Sequence, residues 1–552
     1  MLSIISFIGF TLLVAVVAYL ATRKTNENSS DGYFLGGRSL TAGVIAGSLL
    51  LTNLSTEQIV GLNGASFSEG ILVMAWETLA AIAMVVTAIF LLPKYLKGGL
   101  ITIPQFLANR FDTTTKTLTS ILFLTGYVVV LLPTILYSGA LAIRGMFDIP
   151  DLLNVSDTVA LWICVWGIGL IGSVYAVFGG LKAVAVSDSI NAIGLLIGGV
   201  LIPIFGLLIV GDGSVINGIS ILQENIPEKF DSIGKTTASV PFVTIFTGMM
   251  LVQLFYWGTN QQIIQRALGA KNLKEGQKGL LLGSFIKILG PLIVVLPGMI
   301  AFYMSKNGLL DVSSPDEAYG ELVKKVLPKE LVGFFAAVLF GAILSSFNSV
   351  LNSSVTLFGI DVYKQHINNN ADEKTVVKYG KFFGIVLALA AMCIAPFLQS
   401  LESIFSYLQQ VNGVYSIPIL TIIFVGYVTK RVPAIAAKIG LLSGSILYII
   451  SEFVIRPNRV DNALEKARES GIIDQASLAL IEAEAYPHFL HIMAILFILN
   501  VFIMVLIGKY YPRKEAYVQS YTKQVDITPW KYVKQVGLII CIIVVAIYIY
   551  FS

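Results

Sequence analysis

Apolar residues in this chain gather into blocks of about twenty, separated by short polar stretches. A helix needs about that many residues to cross a hydrocarbon layer of ~30 Å at 1.5 Å per residue. The blocks fall at 4–22, 41–63, 69–96, 116–147, 158–178, 181–211, 240–268, 277–305, 329–362, 378–399, 403–428, 434–455, 487–508 and 532–551. The pattern predicts an all-α polytopic membrane protein with fourteen transmembrane helices and both termini on one side. The first block has no positive region before it, and Arg23 and Lys24 follow it, so it is expected to be a retained span and not a cleaved signal.

The charges between blocks set the orientation. Alternate loops carry Arg23, Lys24 and Arg38; Lys94, Lys97, Arg110 and Lys116; Lys182; and Arg266, Lys271, Lys274 and Lys278. The series continues with Lys364, Lys374, Lys378 and Lys381; Lys430, Arg431 and Lys438; and Lys509, Arg513, Lys514 and Lys523. The opposite loops at 64–68 and 400–402 hold no Lys or Arg. The first face is therefore expected to be cytoplasmic, which places both termini outside a cell inner (plasma) membrane. In the outer loop 456–486, Ala463–Ser470 and Gln475–Ala485 read as short amphipathic helices.

Composition agrees and narrows the function. Of 552 residues 56% are hydrophobic and 13% charged, against about 25% charged in soluble domains. The net charge of +4 is spread over loops, with no basic domain of the kind that binds nucleic acid. The cysteines (Cys164, Cys393, Cys541) and histidines (His366, His488, His491) form no metal-binding spacing. That pattern argues against enzymatic metal chemistry, and no Walker sequence occurs, so ATP-driven pumping by this chain alone is excluded.

Two blocks carry polar stretches at membrane depth: Thr52-Asn-Leu-Ser-Thr-Glu-Gln58 in the second and Gln253-Leu-Phe-Tyr-Trp-Gly-Thr-Asn-Gln-Gln262 in the seventh. Lipid satisfies no stray backbone group, so unwound backbone there must face a cavity or an ion. The blocks are five apart, which makes them equivalent if blocks two to six and seven to eleven are repeats. Paired breaks of this kind point to the substrate site of an inverted-repeat transporter. In the ninth block, Ala342, Ser345 and Ser346 share a helix face. Hydroxyls and unwound carbonyls such as those of Leu51 and Leu54 suit a monovalent hard cation. Serines used for close helix packing would leave the same signature. Glu77 and Lys287 are charges at span centres, each costing about 2.5–3.5 kcal/mol. They suit a polar pathway for a hydroxyl-rich ligand, with a structural ion pair as the alternative. Asp188, near the cytoplasmic end of the sixth block, suits a cation exit route or a local salt bridge.

The string Thr52–Gln58, the segment Tyr256-Trp-Gly-Thr-Asn-Gln-Gln-Ile-Ile-Gln-Arg266, and Ser345-Ser-Phe-Asn-Ser-Val-Leu-Asn-Ser353 followed by Asp361-Val-Tyr363 resemble the sodium/solute symporter family. The resemblance is strongest to its sodium–glucose and sodium–galactose branch and runs over essentially the whole chain. It implies a five-plus-five inverted-repeat core like that of the bacterial leucine transporter. The repeats would occupy 41–211 and 212–428, between a peripheral first helix with its loop (1–40) and peripheral C-terminal helices (429–552). It further implies that Asn53, Gln58, Glu77, Gln253, Tyr256, Lys287 and Gln409 surround a sugar, with the Tyr256 ring stacked on the pyranose as inner gate. Sodium would be held by the carbonyls of Leu51, Leu54 and Ala342 and the hydroxyls of Ser345 and Ser346. Asp188 would lie on the sodium exit path, with Arg144 as its partner. The sequence departs from galactose carriers at Ala80, where some have serine, at Gln253, where they have asparagine, and at Leu51, where they have alanine. The expected activity is sodium-coupled hexose uptake, of the galactose or glucose class, by alternating access. The partners are a neutral sugar, sodium and the bilayer, with no nucleic acid and no obligatory protein partner. The alternatives are symport of inositol, sialic acid or an amino acid, or a sodium-independent uniporter or sensor.

Overall fold

The computed structural model describes residues 2–22, 29–400 and 404–552, so Arg23, Lys24 and residues 401–402 of the expected outer loop lie outside the described residues. Among the described residues the chain is helical with no strand, apart from one isolated bridge between Leu40 and Ala270. Nine described helices are long and apolar enough to cross a membrane, or ten if the bent pair Leu273–Ile288 and Gly290–Lys306 makes one span.

Several predicted blocks are interrupted or fused. The second block is two helices, Ala42–Asn53 and Thr56–Glu69. The seventh is Gly248–Gly258 and Gln261–Leu268. The eighth bends by 48° just after Lys287, where Pro291 and Pro297 each open a new helical turn. Proline donates no N–H and its ring crowds the carbonyl four residues back, so a bend there is the expected relief.

The fifth and sixth blocks form one helical stretch, Asp157–Val210, of 54 residues. Run straight it would span about 80 Å, more than twice the hydrocarbon layer. Yet Gly172 packs on Phe347 while Asp188 reaches Ser345, two residues earlier on the same helix. The stretch therefore doubles back between those positions. Both arms pack on Lys329–Thr356, whose buried Phe335, Val338 and Phe347 occupy the spaces left by Gly198, Gly194 and Gly172.

Four π segments occur among the described residues, and three of them, Thr87–Leu91, Tyr127–Leu131 and Ser451–Ile455, each end two residues before a proline (Pro93, Pro133, Pro457); the fourth, Leu357–Ile367, continues the helix Lys329–Thr356. An extra residue in the turn relieves the clash that the ring would otherwise force. Such a turn also joins Ala434–Ile450 to Arg456–Glu469, so the first amphipathic helix of the 456–486 segment starts earlier than its polarity suggests. The second matches its expected range, Gln475–Ala485.

Candidate functional site

The second block breaks at Leu54 (φ −77°, ψ 58°) and Ser55 (φ −83°, ψ 176°), both fully buried. The last backbone bond of the first half runs from the Leu54 N–H to the Leu50 carbonyl, and the second half starts from the Ser55 carbonyl. Among the described residues no backbone N–H therefore reaches the carbonyls of Leu51, Asn53 or Leu54. Facing them, the Ser346 hydroxyl donates to the Thr52 carbonyl (3.1 Å), and Thr52 Oγ1 lies 3.2 Å from Ser349 Oγ. The Ser345 hydroxyl is buried beside Asp188 and makes no hydrogen bond of normal geometry. Leu51, Leu54, Ala342, Ser345 and Ser346 are all buried where the break meets Lys329–Thr356. The unsatisfied oxygens among these are the Leu51 and Leu54 carbonyls and the Ser345 hydroxyl, hard donors of the kind an alkali ion takes, with no carboxylate among them.

The seventh block breaks differently. Thr259 and Asn260 leave the helix, and the Asn260 side chain caps the next one by accepting from the Gln262 N–H (3.1 Å). The Tyr127 hydroxyl donates to Asn260 Oδ1 (2.5 Å) and also accepts from the Gln262 N–H (3.2 Å). This break is sealed by side chains, one of them from the π turn at Tyr127–Leu131.

Between the two breaks lies a cavity of about 60 Å³ lined by Asn53, Gln58, Gln253, Tyr256 and Gln409, together with Glu57, Trp76, Asn260, Gln262, Asn412 and Tyr415. Glu77 and Lys287 stand behind its wall, and both are fully buried. Lys287 donates to the carboxylate of Glu77 and to Asn53 Oδ1, and Gln58 Nε2 donates to the other Glu77 oxygen (2.9 Å). Gln253 donates to the Trp76 carbonyl (3.0 Å) and accepts from Trp257 Nε1 (3.2 Å). Five of the seven expected solute residues thus line the cavity, and the other two, Glu77 and Lys287, are bonded to its wall through Gln58 and Asn53. Ala80 packs in the apolar core and is not among the cavity residues.

Arg144 is a correction. It closes the helix Leu132–Met146, 3.5 Å from Asp157, and lines a separate cavity of about 370 Å³ with Asp316 and Lys324. The partner of Asp188 is Arg266 (4.0 Å), and Ser48 donates to the same carboxylate (2.6 Å). Arg266 looks like a loop charge because it falls at the very end of an apolar block, close to Lys271 and Lys274. The break at Thr259–Asn260 instead turns the short helix Gln261–Leu268 inward and buries the guanidinium, which donates to Ser48, Ser349 and the Gln262 carbonyl. Lys116 is likewise buried, 3.0 Å from Asp361, which also accepts from Thr102 and Ser120. Sequence reasoning also missed Glu57, whose buried Oε2 has no partner. Its carboxylate stood in plain view within Thr52–Gln58.

An apolar helical shell around one unsatisfied break, one sealed break and a polar cavity defines a membrane transport protein. The chain belongs to the sodium:solute symporter family, whose model matches residues 33–444. It is 43% identical over 548 residues to an Escherichia coli (strain K12) protein named uncharacterized symporter YidK, covering 99% of this chain and 90% of that one. It is 30% identical over 478 residues to the sodium/glucose cotransporter of Vibrio parahaemolyticus, covering 82% and 86%. Its fold matches that of a Na+-coupled sialic acid symporter solved in a substrate-bound outward-open state, with a TM-score of 0.71 at 18% identity, covering 94% of this chain and 99% of that one. The chain is therefore a sodium-coupled transporter and not an enzyme.

Proposed function

We propose that the chain takes up a neutral hexose, of the galactose or glucose class, together with sodium across the inner membrane. The observation that carries this reading is the cavity lined by Asn53, Gln58, Gln253, Tyr256 and Gln409 beside the unsatisfied break, with the Glu77–Lys287 pair bonded to its wall. Amides and a paired carboxylate and ammonium both donate and accept, as ring hydroxyls do, and the Tyr256 ring offers an apolar face to a pyranose. Sodium sits among Leu51, Leu54, Ala342, Ser345 and Ser346, ordering the break and with it Asn53 and Gln58. It leaves past Asp188, whose charge is held by Arg266. Each sodium moving inward gains about 2.3 kcal/mol per 100 mV, enough for roughly a fiftyfold sugar gradient. Coupling requires that sodium favour the sugar-competent arrangement. In this reading fourteen spans cross the membrane with both termini outside. Residues 41–211 and 212–428 form the two inverted repeats, flanked by the peripheral segments 1–40 and 429–552.

The test is uptake of labelled hexoses and cyclic polyols into proteoliposomes, with sodium or potassium outside. Accumulation of a hexose only with sodium is expected. Equal uptake in potassium would make the protein a uniporter, and binding without flux would make it a sensor. Sodium-driven uptake of inositol, sialic acid or an amino acid in place of a hexose would overturn the sugar assignment alone.

A further inference from the structure

Residues 511–530 cross the lysine-rich face, which the loop charges assign to the cytoplasm, as an extended segment. The Arg513 N–H donates to the Arg431 carbonyl (2.8 Å), and the Tyr517 N–H to that of Lys430 (2.9 Å). Further along, Gln519 donates to the Lys94 carbonyl (2.8 Å) and the Thr522 N–H to that of Lys97 (3.1 Å). The first two bonds set Lys430 and Arg431 beside Arg513 and Lys514. Arg110 lies beneath, its guanidinium spent on the carbonyls of Gly426 (3.0 Å), Thr429 (3.1 Å) and Val432 (3.0 Å).

This corner gathers positive charge without neutralising it. Among the described residues Lys430, Arg431, Lys509, Arg513 and Lys514 form no ion pair. Asp112 is taken by Lys438 (2.7 Å), and Glu515 is the one carboxylate within the 509–517 stretch. Holding cations together by backbone bonds is unfavourable unless an anion settles on them. The side facing the bilayer is apolar. Phe424 and Phe497 meet at 5.6 Å along the seam between Ile404–Val428 and Phe489–Tyr510, and Val428 (65%) and Phe502 (61%) are left exposed. Tyr510 and Tyr511, also exposed, mark the depth where such rings meet headgroups.

We propose that this corner binds an anionic phospholipid of the cytoplasmic leaflet. Its phosphate rests on Lys430, Arg431, Arg513 and Lys514, and an acyl chain follows Phe424, Val428 and Phe502. A soluble anion would use the cations and leave the seam and the tyrosines without a role.

Native mass spectrometry of the full chain, released from micelles containing phosphatidylglycerol and phosphatidylcholine, tests this. The wild type should retain phosphatidylglycerol preferentially. Lys430→Gln/Arg431→Gln/Lys514→Gln should weaken that retention by about a hundredfold, about fivefold per charge near a membrane surface. Lys235→Gln/Lys325→Gln, exposed on the opposite face, should leave it unchanged. Equal retention of both lipids, or equal loss in both variants, overturns the proposal. So does displacement of phosphatidylglycerol by inorganic phosphate at matched ionic strength, which would make this a soluble-anion site. If the triple variant does not fold, Lys514→Gln and a salt titration of the wild type decide. Retention that ignores both rejects a headgroup site.

Discussion

Replacing Lys287 by methionine separates what the buried ion pair does for the fold from what it does for the solute. Glu77 and Lys287 are 0% and 1% exposed, and Lys287 also holds Asn53 at the cavity wall. In Lys287→Met the Glu77 carboxylate keeps the Gln58 amide (2.9 Å) but loses its counter-charge. Removing one member of a buried pair costs about 3–5 kcal/mol, because the other charge stays desolvated. Glu77→Gln/Lys287→Met removes both charges at similar volume and should recover most of that cost. Uptake should not recover, since Asn53 has lost its donor and the solute its charged partners. The assay pairs thermal unfolding in detergent with sodium-driven uptake for the four members of the cycle. Destabilisations of the two single variants that simply add up to that of the double would show that the pair is not coupled. Uptake restored with stability in the double variant would show that the charges serve the fold alone.

Three further outcomes follow from the geometry. Ser345→Ala should raise the sodium concentration for half-maximal uptake while leaving the maximum at saturating sodium nearly intact, and an unchanged sodium curve would count against the ion assignment. Tyr127→Phe removes a buried hydroxyl bonded to Asn260 and Gln262 at a cost of about 1–3 kcal/mol. Thermal unfolding identical to wild type would show that the hydroxyl does not hold the second break. Asp316, in the segment docked against Gly64, has its carboxyl pushed up to about 6 by burial and by neighbouring Glu317. Its raised value means the docked state binds the proton more tightly. Docking therefore strengthens as pH falls from about 6 toward the ordinary value of 3.8 and weakens as pH rises through that window. Hydrogen exchange across 315–326 should slow at the acid end, and Asp316→Asn should abolish that dependence.

The two breaks were legible because polar stretches have no other use at membrane depth: Thr52–Gln58 holds six polar residues in seven positions, and the break at Leu54–Ser55 falls within it, while Thr259–Asn260 falls within Gln253–Gln262. The association of Glu77 with Lys287 was legible for the same reason. What escaped were charges at the ends of blocks. Arg110, Arg266 and Lys116 look identical in sequence to solvated loop cations, but partners from distant segments bury them: the carbonyls at 426–432, Asp188 and Asp361. Arg144 was misplaced by the opposite error, since proximity in a motif order says nothing of which end of a helix faces which. The bend after Lys287 went unread because Pro291 and Pro297 sit inside an unbroken apolar block.

The widened turns before Pro93, Pro133 and Pro457 have a mechanical consequence. A helix that already carries an extra residue in one turn can flex there without surrendering hydrogen bonds it does not possess. Tyr127 sits on the first residue of one such joint and grips the far break. Deformation that begins at this hinge is therefore felt at once at the floor of the solute chamber, while the rods on either side stay stiff.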